Sequence, residues 1–100
     1  MSPPEVRLKL SPIAQTDLTS ILQYTGERWG QDQLLSYRDK IDHALTLLAG
    51  HANLGHFSAE LPATHRLYFV GSHVIVYRRR NDVTEVVRIL HQRMSFARHV

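Results

Sequence analysis

The sequence predicts an α+β fold in which an N-terminal strand precedes an α-helical hairpin and then a three-stranded antiparallel meander. Three patterns predict this order. Residues 5–10 alternate between charged and apolar types, which is the period of a half-exposed strand. Two segments with helical periodicity follow, and three apolar runs separated by turn residues come after them. We expect the helices to pack on one face of the sheet, which leaves the other face and the sheet edges free for partners.

Local signals delimit the two helices. Ser11 followed by Pro12 is typical of a helix N-terminus, because a serine oxygen can cap the free amides and proline there loses no hydrogen bond. Apolar residues recur at helical spacing as far as Gly30, which offers a left-handed cap. A second amphipathic pattern fills residues 31–49 and stops at Gly50. The two segments therefore predict antiparallel helices joined by a tight turn.

The remaining chain predicts a loop and the meander. Residues 51–63 lack periodicity and contain Gly55 and Pro62, so we predict a loop with room for a short helical turn. Turn signals at 71–72 and 80–82 then separate three predicted strands, over residues 64–70, 73–79 and 83–91. The last nine residues form a tail.

Length and composition limit the class of protein. One hundred residues are expected to form one domain over 1–100, with a core large enough to need neither disulfides nor metal. The absence of cysteine excludes disulfides, thiol nucleophiles and cysteine-ligated zinc. The N-terminal residues resemble neither a signal peptide nor a membrane span. We therefore expect a cytoplasmic protein that makes no use of a membrane.

Positive charge is concentrated in the C-terminal third. Residues 1–65 carry five Lys and Arg against seven acidic residues, a net charge of −2. Residues 66–100 carry seven arginines against Asp82 and Glu85, a net charge of +5. This asymmetry predicts an anionic partner for the C-terminal strands.

Strand alternation suggests where these charges lie. Val74, Val76 and Arg78 are expected to share one face of their strand, and Val86, Arg88 and Leu90 one face of the next. If the register aligns these strands suitably, four basic residues meet in one region: Arg78, Arg88, His91 and Arg93. Guanidinium groups there would bind phosphate or carboxylate, although Arg79 and Arg80 are better explained as a solvated turn.

Two of these residues have competing explanations. Arg88 stands in a nearly apolar strand, so it is expected either to serve function or to form a buried ion pair, because an unpaired charge there costs several kcal/mol. His91 could be the general base of a metal-free ribonuclease, or simply a histidine hydrogen-bonded at a strand end. No histidine spacing indicates a metal site, and no phosphate-binding glycine motif or nucleophile elbow is present. We expect no cofactor.

At this point the motifs resemble the ParE toxins of the ParE/RelE superfamily. The match begins near Leu10 and continues in order to the C-terminus. Its helical positions are Ser11-Pro12, Ala14, Asp17-Leu18, Ile21, Tyr24-Thr25, Trp29-Gly30, Tyr37 and Leu48-Ala49. The more specific part is Gly55, His73-Val74-Ile75, Tyr77-Arg78, Val87-Arg88-Ile89-Leu90-His91 and Arg93-Met94.

The resemblance implies the toxin of a type II toxin–antitoxin system, associated with growth arrest and plasmid maintenance. Such a toxin inhibits DNA gyrase by binding, blocks replication and is neutralised by a ParD-like antitoxin whose disordered segment folds as it binds. It implies neither catalysis nor sequence-specific nucleic-acid binding by the toxin alone. On this basis Arg78, Arg88, His91 and Arg93 are the expected target-binding residues. Strand and helix placement, rather than the resemblance, suggests an antitoxin-binding groove of exposed apolar residues, namely Trp29, Leu67 and Phe69, although the favoured interpretation of Trp29 is core packing or a helix-terminal anchor.

One departure and two alternatives accompany the resemblance. The family usually has aspartate where this chain has Ser95, which would remove a partner for Arg93 or the tail and weaken toxicity. The main alternative is a RelE-like, ribosome-dependent mRNA endoribonuclease, which shares the fold. The tail contains no tyrosine, which such enzymes commonly place there. The other alternative is a degenerate toxin that only binds its antitoxin.

Overall fold

The computed structural model describes residues 7–100 and confirms the predicted α+β order. Strand β1 (Leu8–Leu10) leads into helices α1 (Pro12–Trp29) and α2 (Gln31–Gly50), and a 3-10 turn follows at Ala52–Leu54. Strands β2 (His65–Val70), β3 (His73–Arg80) and β4 (Val83–His91) form the meander, and the short helix α3 (Phe96–His99) comes last. Glu5 and Val6, assigned to the first strand from the sequence, lie outside the described residues.

The four strands form one sheet in the order β1-β4-β3-β2. The meander is antiparallel, whereas β1 pairs with β4 in parallel, from Leu8 opposite Thr84 to Leu10 opposite Val86. Where β1 ends, Ser11 accepts a hydrogen bond from the amide of Ala14 at 3.0 Å and thereby caps α1. Its hydroxyl also donates to the carbonyl of Val87 at 2.8 Å. The cap therefore fixes the start of α1 against β4.

The main core lies between the helical hairpin and the sheet. Its fully buried side chains include Ala14, Ile41 and Leu48 from the helices and Ile75, Tyr77 and Val86 from the strands. The Tyr77 hydroxyl donates to the carbonyl of Ala52 at 2.6 Å and accepts from the amide of Gly55 at 2.8 Å. A side chain at position 55 would collide with that hydroxyl, so glycine is required there. The loop after α2 is thus held against the core.

From the sequence we expect the sheet face away from the hairpin to be free, but the centre of that face is covered. Leu67, Val74, Val76 and Leu90 form a second buried cluster there with Leu61, and Phe96 packs against it. The loop before β2 and the C-terminal tail therefore fold over this face. The reason is that β3 is apolar on both faces, so both must be covered.

A β-bulge in β4 changes which side chains share a face. Val76 pairs with Arg88 while the next residue, Tyr77, pairs with Val86, so Val87 is an extra residue in β4. Val86 consequently faces the hairpin, whereas Arg88 faces the opposite side. The prediction that these two residues share a face is wrong for this reason.

Within residues 7–100, none of the helices combines the length and the apolar character that crossing a membrane requires.

Candidate functional site

Four polar side chains form a row across the sheet, on the face away from the hairpin. His65 pairs with Arg78, Arg78 pairs with Glu85, and Glu85 pairs with Lys9, so all four project from the same face. We call this set the polar row. It crosses all four strands beside the N-terminus of α1, and it borders a cleft of about 280 Å³. Arg78 is therefore part of a surface that β1, β2 and β4 complete.

The carboxylate of Glu85 contacts two arginines, one in the polar row and one beside it. Its oxygens lie 3.5 Å from Nη2 of Arg78 and 3.0 Å from Nε of Arg80. His65 is buried, and its pKa is lowered by that burial and by the positive charge of Arg78. The row is consequently a positively charged surface in which the imidazole is disfavoured as a cation.

Arg88 forms an ion pair with Asp17 of α1. Its Nε and Nη2 donate to the two carboxylate oxygens at 2.8 and 3.0 Å, and the amide of Ile89 donates to the same carboxylate at 2.9 Å. The side chains are only 20% and 14% exposed for Arg88 and Asp17. Hydrogen bonding to Asp17 raises the pKa of Arg88 above its usual value. Of the two predicted explanations for Arg88, the structure shows the ion pair.

The same guanidinium also contacts the C-terminal tail. Nη1 of Arg88 donates to the carbonyl of His99 at 2.8 Å. Phe96 packs on the second core cluster, and the exposed Arg93 and Arg98 lie on either side of it in the sequence. Arg88 thus links α1, β4 and the tail that carries these two arginines.

His91 lies on the hairpin side of the sheet, in a second cluster. Its ring packs edge-on against that of His73 at 5.4 Å between centroids, and His73 Nδ1 is 2.6 Å from the hydroxyl of Tyr37. Burial and the neighbouring His91 lower the pKa of His73, and burial raises the pKa of Tyr37. The amide of Arg93 donates to His91 Nδ1 at 3.2 Å. These groups border a cleft of about 260 Å³ that also includes Trp29.

The four basic residues predicted as one target-binding region do not meet. Arg78 and Arg88 lie on the face away from the hairpin, whereas His91 lies on the hairpin side, opposite His73. The five-residue step along β3 from His73 to Arg78 corresponds to about 17 Å. The register places His91 opposite His73 and Glu85 opposite Arg78, so Arg78 and His91 lie far apart on the sheet.

The three apolar residues predicted to bind antitoxin do not form one surface either. Leu67 is 5% exposed and belongs to the second core cluster, so its assignment to an exposed groove is wrong. Trp29 and Phe69 are 65% and 50% exposed, which also overturns the core-packing interpretation of Trp29. Trp29 borders the cleft beside His73 and His91, whereas Phe69 pairs with Val74 on the other side of the sheet.

Several residues of these clusters were not assigned by sequence reasoning. Asp17, Tyr37 and His73 match motif positions, but their contacts at long sequence separation had no sequence signal. Arg79, which is explained from the sequence as part of a solvated turn, donates to the carbonyl of Ala49 at the end of α2. Within residues 7–100, no group of three or more metal-ligating side chains is present.

Comparisons with known proteins agree on one family. The family model for the ParE toxin of the type II toxin–antitoxin system parDE matches residues 8–96. Toxin ParE1 of Mycobacterium tuberculosis is 38% identical, over 94% of this chain and 97% of that protein. Toxin ParE1 of Caulobacter vibrioides is 35% identical over 92% and 95%, and Toxin ParE of Escherichia coli is 31% identical over 86% and 84%.

One solved structure extends the comparison to the fold. It is described as the chromosomal ParDE TA system from P. aeruginosa, and a chain of it superposes with a TM-score of 0.74. The match covers 86% of this chain and 95% of that chain at 19% identity, so it concerns the fold alone.

Proposed function

We propose that this chain, which belongs to the ParE toxin family of type II toxin–antitoxin systems, inhibits DNA gyrase by binding and is neutralised by a ParD-like antitoxin. The proposed toxin acts in the cytoplasm, uses no cofactor and arrests growth by blocking replication. The main support for this proposal is family membership, since the sequence matches cover nearly all of this chain and of each of the two ParE1 relatives.

The separation of the basic residues supports binding rather than catalysis. An endoribonuclease needs a general base and phosphate-stabilising cations around one reacting bond. His91 instead packs against His73, while Arg78 belongs to the polar row on the other face. The RelE-like alternative therefore lacks the expected cluster in the described chain, whereas contacts to a large partner can be distributed over a surface.

The target-facing surface that we propose has two kinds of member. The half-buried Arg78 and the exposed Arg93 contact the target directly. Arg88 is engaged by Asp17 and acts indirectly, by positioning the tail that contains Arg93. His91 supports the same segment through the amide of Arg93. We propose Trp29 and Phe69 as the exposed antitoxin contacts, on the two sides of the sheet.

The first experiment separates the alternatives. DNA and protein synthesis are pulse-labelled in a bacterium minutes after induction of this chain without antitoxin. We expect DNA synthesis to stop first while translation continues, followed by trapped cleavage complexes with purified gyrase. An early stop in translation would contradict the proposal in favour of the ribonuclease, and no effect on either process would indicate a degenerate toxin.

Variants then test the division of surfaces. Arg93→Ala is expected to reduce toxicity while antitoxin binding is retained, whereas Trp29→Ala is expected to weaken antitoxin binding. Arg38→Ala is the matched control, because Arg38 is exposed on α2 beside Asp39 and outside both clusters. If Arg93→Ala lost toxicity and antitoxin binding equally while folded, separate surfaces would be ruled out.

A further inference from the structure

The cleft beside the polar row has the features of a binding site for a single anion. Its volume is about 280 Å³, and its polar wall consists of the four residues of the row together with Ser11. The apolar part of its wall is formed by Pro12, Val86 and Val87. The cleft is therefore large enough for one side chain, with charged groups on one side and apolar groups on the other.

Cations outnumber carboxylates around this cleft. Lys9, Arg78 and Arg80 are positively charged, whereas Glu85 supplies the one carboxylate among the lining residues. The Glu85 contact to Arg80, at 3.0 Å, is shorter than its contact to Arg78, at 3.5 Å. The charge of Arg78 is consequently only partly balanced by Glu85.

One nitrogen of Arg78 strengthens this argument. Its Nε is buried and donates to no acceptor within residues 7–100. A buried donor without an acceptor is destabilising, and more so when it belongs to a charged group. His65 adds no positive charge of its own, because burial and Arg78 lower the pKa of that imidazole. An incoming oxyanion would accept from the exposed part of this guanidinium, since the Arg78 side chain is 33% exposed, and would balance the excess charge.

We propose that this cleft binds the carboxylate of an aspartate or glutamate side chain presented by an acidic segment of a protein partner. The apolar wall suits the methylene groups of such a side chain. DNA suits the site less well, because a phosphate backbone is held by several cations along a surface, whereas this cleft admits a single group. The proposal rests on the toxin function only for the identity of the partner, since the cleft belongs to the free chain.

The test uses the free chain labelled with ¹⁵N and observed by NMR. The probe is N-acetyl-glutamate amide, which carries one carboxylate, and N-acetyl-glutamine amide is its uncharged counterpart. We expect the Arg78 Nε–Hε signal to shift saturably with the glutamate probe and at least tenfold more weakly with the glutamine probe. The pKa of His65, followed by its ring proton, should rise as the bound carboxylate offsets the effect of Arg78.

Variants establish which groups hold the probe. Arg78→Gln is expected to weaken binding at least tenfold, measured on the His65 ring signal, and Lys9→Gln several-fold. Arg38→Gln, outside the cleft, is expected to leave binding unchanged. Equal binding of the glutamine probe, or undiminished binding by a folded Arg78→Gln variant, would overturn the proposal. Tighter binding of dimethyl phosphate than of the glutamate probe would also overturn it, in favour of a nucleic-acid phosphate.

These outcomes are distinguishable from failure of the toxin function. Carboxylate binding by a chain that does not inhibit gyrase would leave the cleft assignment intact and refute the target. Gyrase inhibition by a chain without saturable carboxylate binding would support the target and refute the cleft assignment.

Discussion

Breaking the ion pair between Asp17 and Arg88 should destabilise the fold by several kcal/mol. The Asp17 carboxylate accepts three hydrogen bonds, two from the guanidinium and one from the amide of Ile89, all between 2.8 and 3.0 Å. Substitution Asp17→Ala removes these acceptors together and leaves a mostly buried guanidinium with the carbonyl of His99. Removing one partner of a buried pair costs about 3–5 kcal/mol. Because the two side chains retain 20% and 14% exposure, we expect about 3 kcal/mol.

The double substitution should cost less than the two single ones combined. Arg88→Met removes the cation and leaves Asp17 with the amide of Ile89, so we expect a loss of about 2–3 kcal/mol. In the double variant no unpaired buried charge remains, and the coupling between the two positions should be about 1.5–3 kcal/mol. Against a total stability of roughly 5–15 kcal/mol for such a domain, these effects are large.

The assay is urea unfolding followed by far-ultraviolet circular dichroism, with the m-value checked for two-state behaviour. The matched control is Asp39→Ala, which breaks an exposed pair with Arg38 and should change stability by less than about 0.5 kcal/mol. If Asp17→Ala cost no more than this control and the two substitutions were additive, the ion pair would not stabilise the fold. Arg88 would then be available for direct contact with the target, contrary to the positioning role proposed above.

Three further outcomes are expected. Tyr77→Phe loses both hydrogen bonds between its buried hydroxyl and the loop after α2, so unfolding in urea should show a loss of about 1–3 kcal/mol at an unchanged m-value. Burial and His91 lower the pKa of His73 in the folded state below its usual value of 6.5. Between the folded and the unfolded pKa, the unfolded state therefore binds more protons than the folded state. The free energy of unfolding should therefore fall as the pH drops below about 6.5, and His73→Gln should show a smaller fall. Ser95 makes no side-chain cap to α3, so Ser95→Asp should stabilise the tail by about 0.5–1 kcal/mol and raise toxicity in the growth assay, whereas unchanged toxicity would contradict a role for that acid.

The elements of the fold could be predicted because each has a local cause. The cap at Ser11, the turn at Gly30 and the strand breaks after Val70 and Arg80 all follow from residues close in sequence. Asn81 and Asp82 adopt φ values of 53° and 61°, which these two residue types tolerate, and they form the tight turn expected between β3 and β4. Local preferences were therefore sufficient for element type and for most bounds.

The site could not be predicted to the same extent, because its geometry depends on register. Alternation along β4 assigns Arg88 to a face only if no residue is inserted, and the extra residue at Val87 defeats that assumption. The covering of the second face likewise depends on Leu61 and Phe96, which lie in segments without periodicity. Pairings such as that of Asp17 with Arg88 join residues 71 positions apart, beyond any local pattern.

The bulge explains how a charged residue is tolerated in an otherwise apolar strand. Because the bulge leaves Val87 outside the regular pairing, Val86 and Ile89 both reach the hairpin core while Arg88 remains on the opposite side of β4. Beyond the end of β1, this edge of β4 is next to α1, where Asp17 accepts from both the guanidinium and the amide of Ile89. The carboxylate thus substitutes for the missing neighbouring strand and neutralises the arginine at the same point. In a regular ladder that included Val87, either Val86 would pair with Arg78 and leave the core, or Arg88 would pair with Ile75 and turn to the hairpin side, so the core packing and the ion pair both depend on leaving Val87 unpaired.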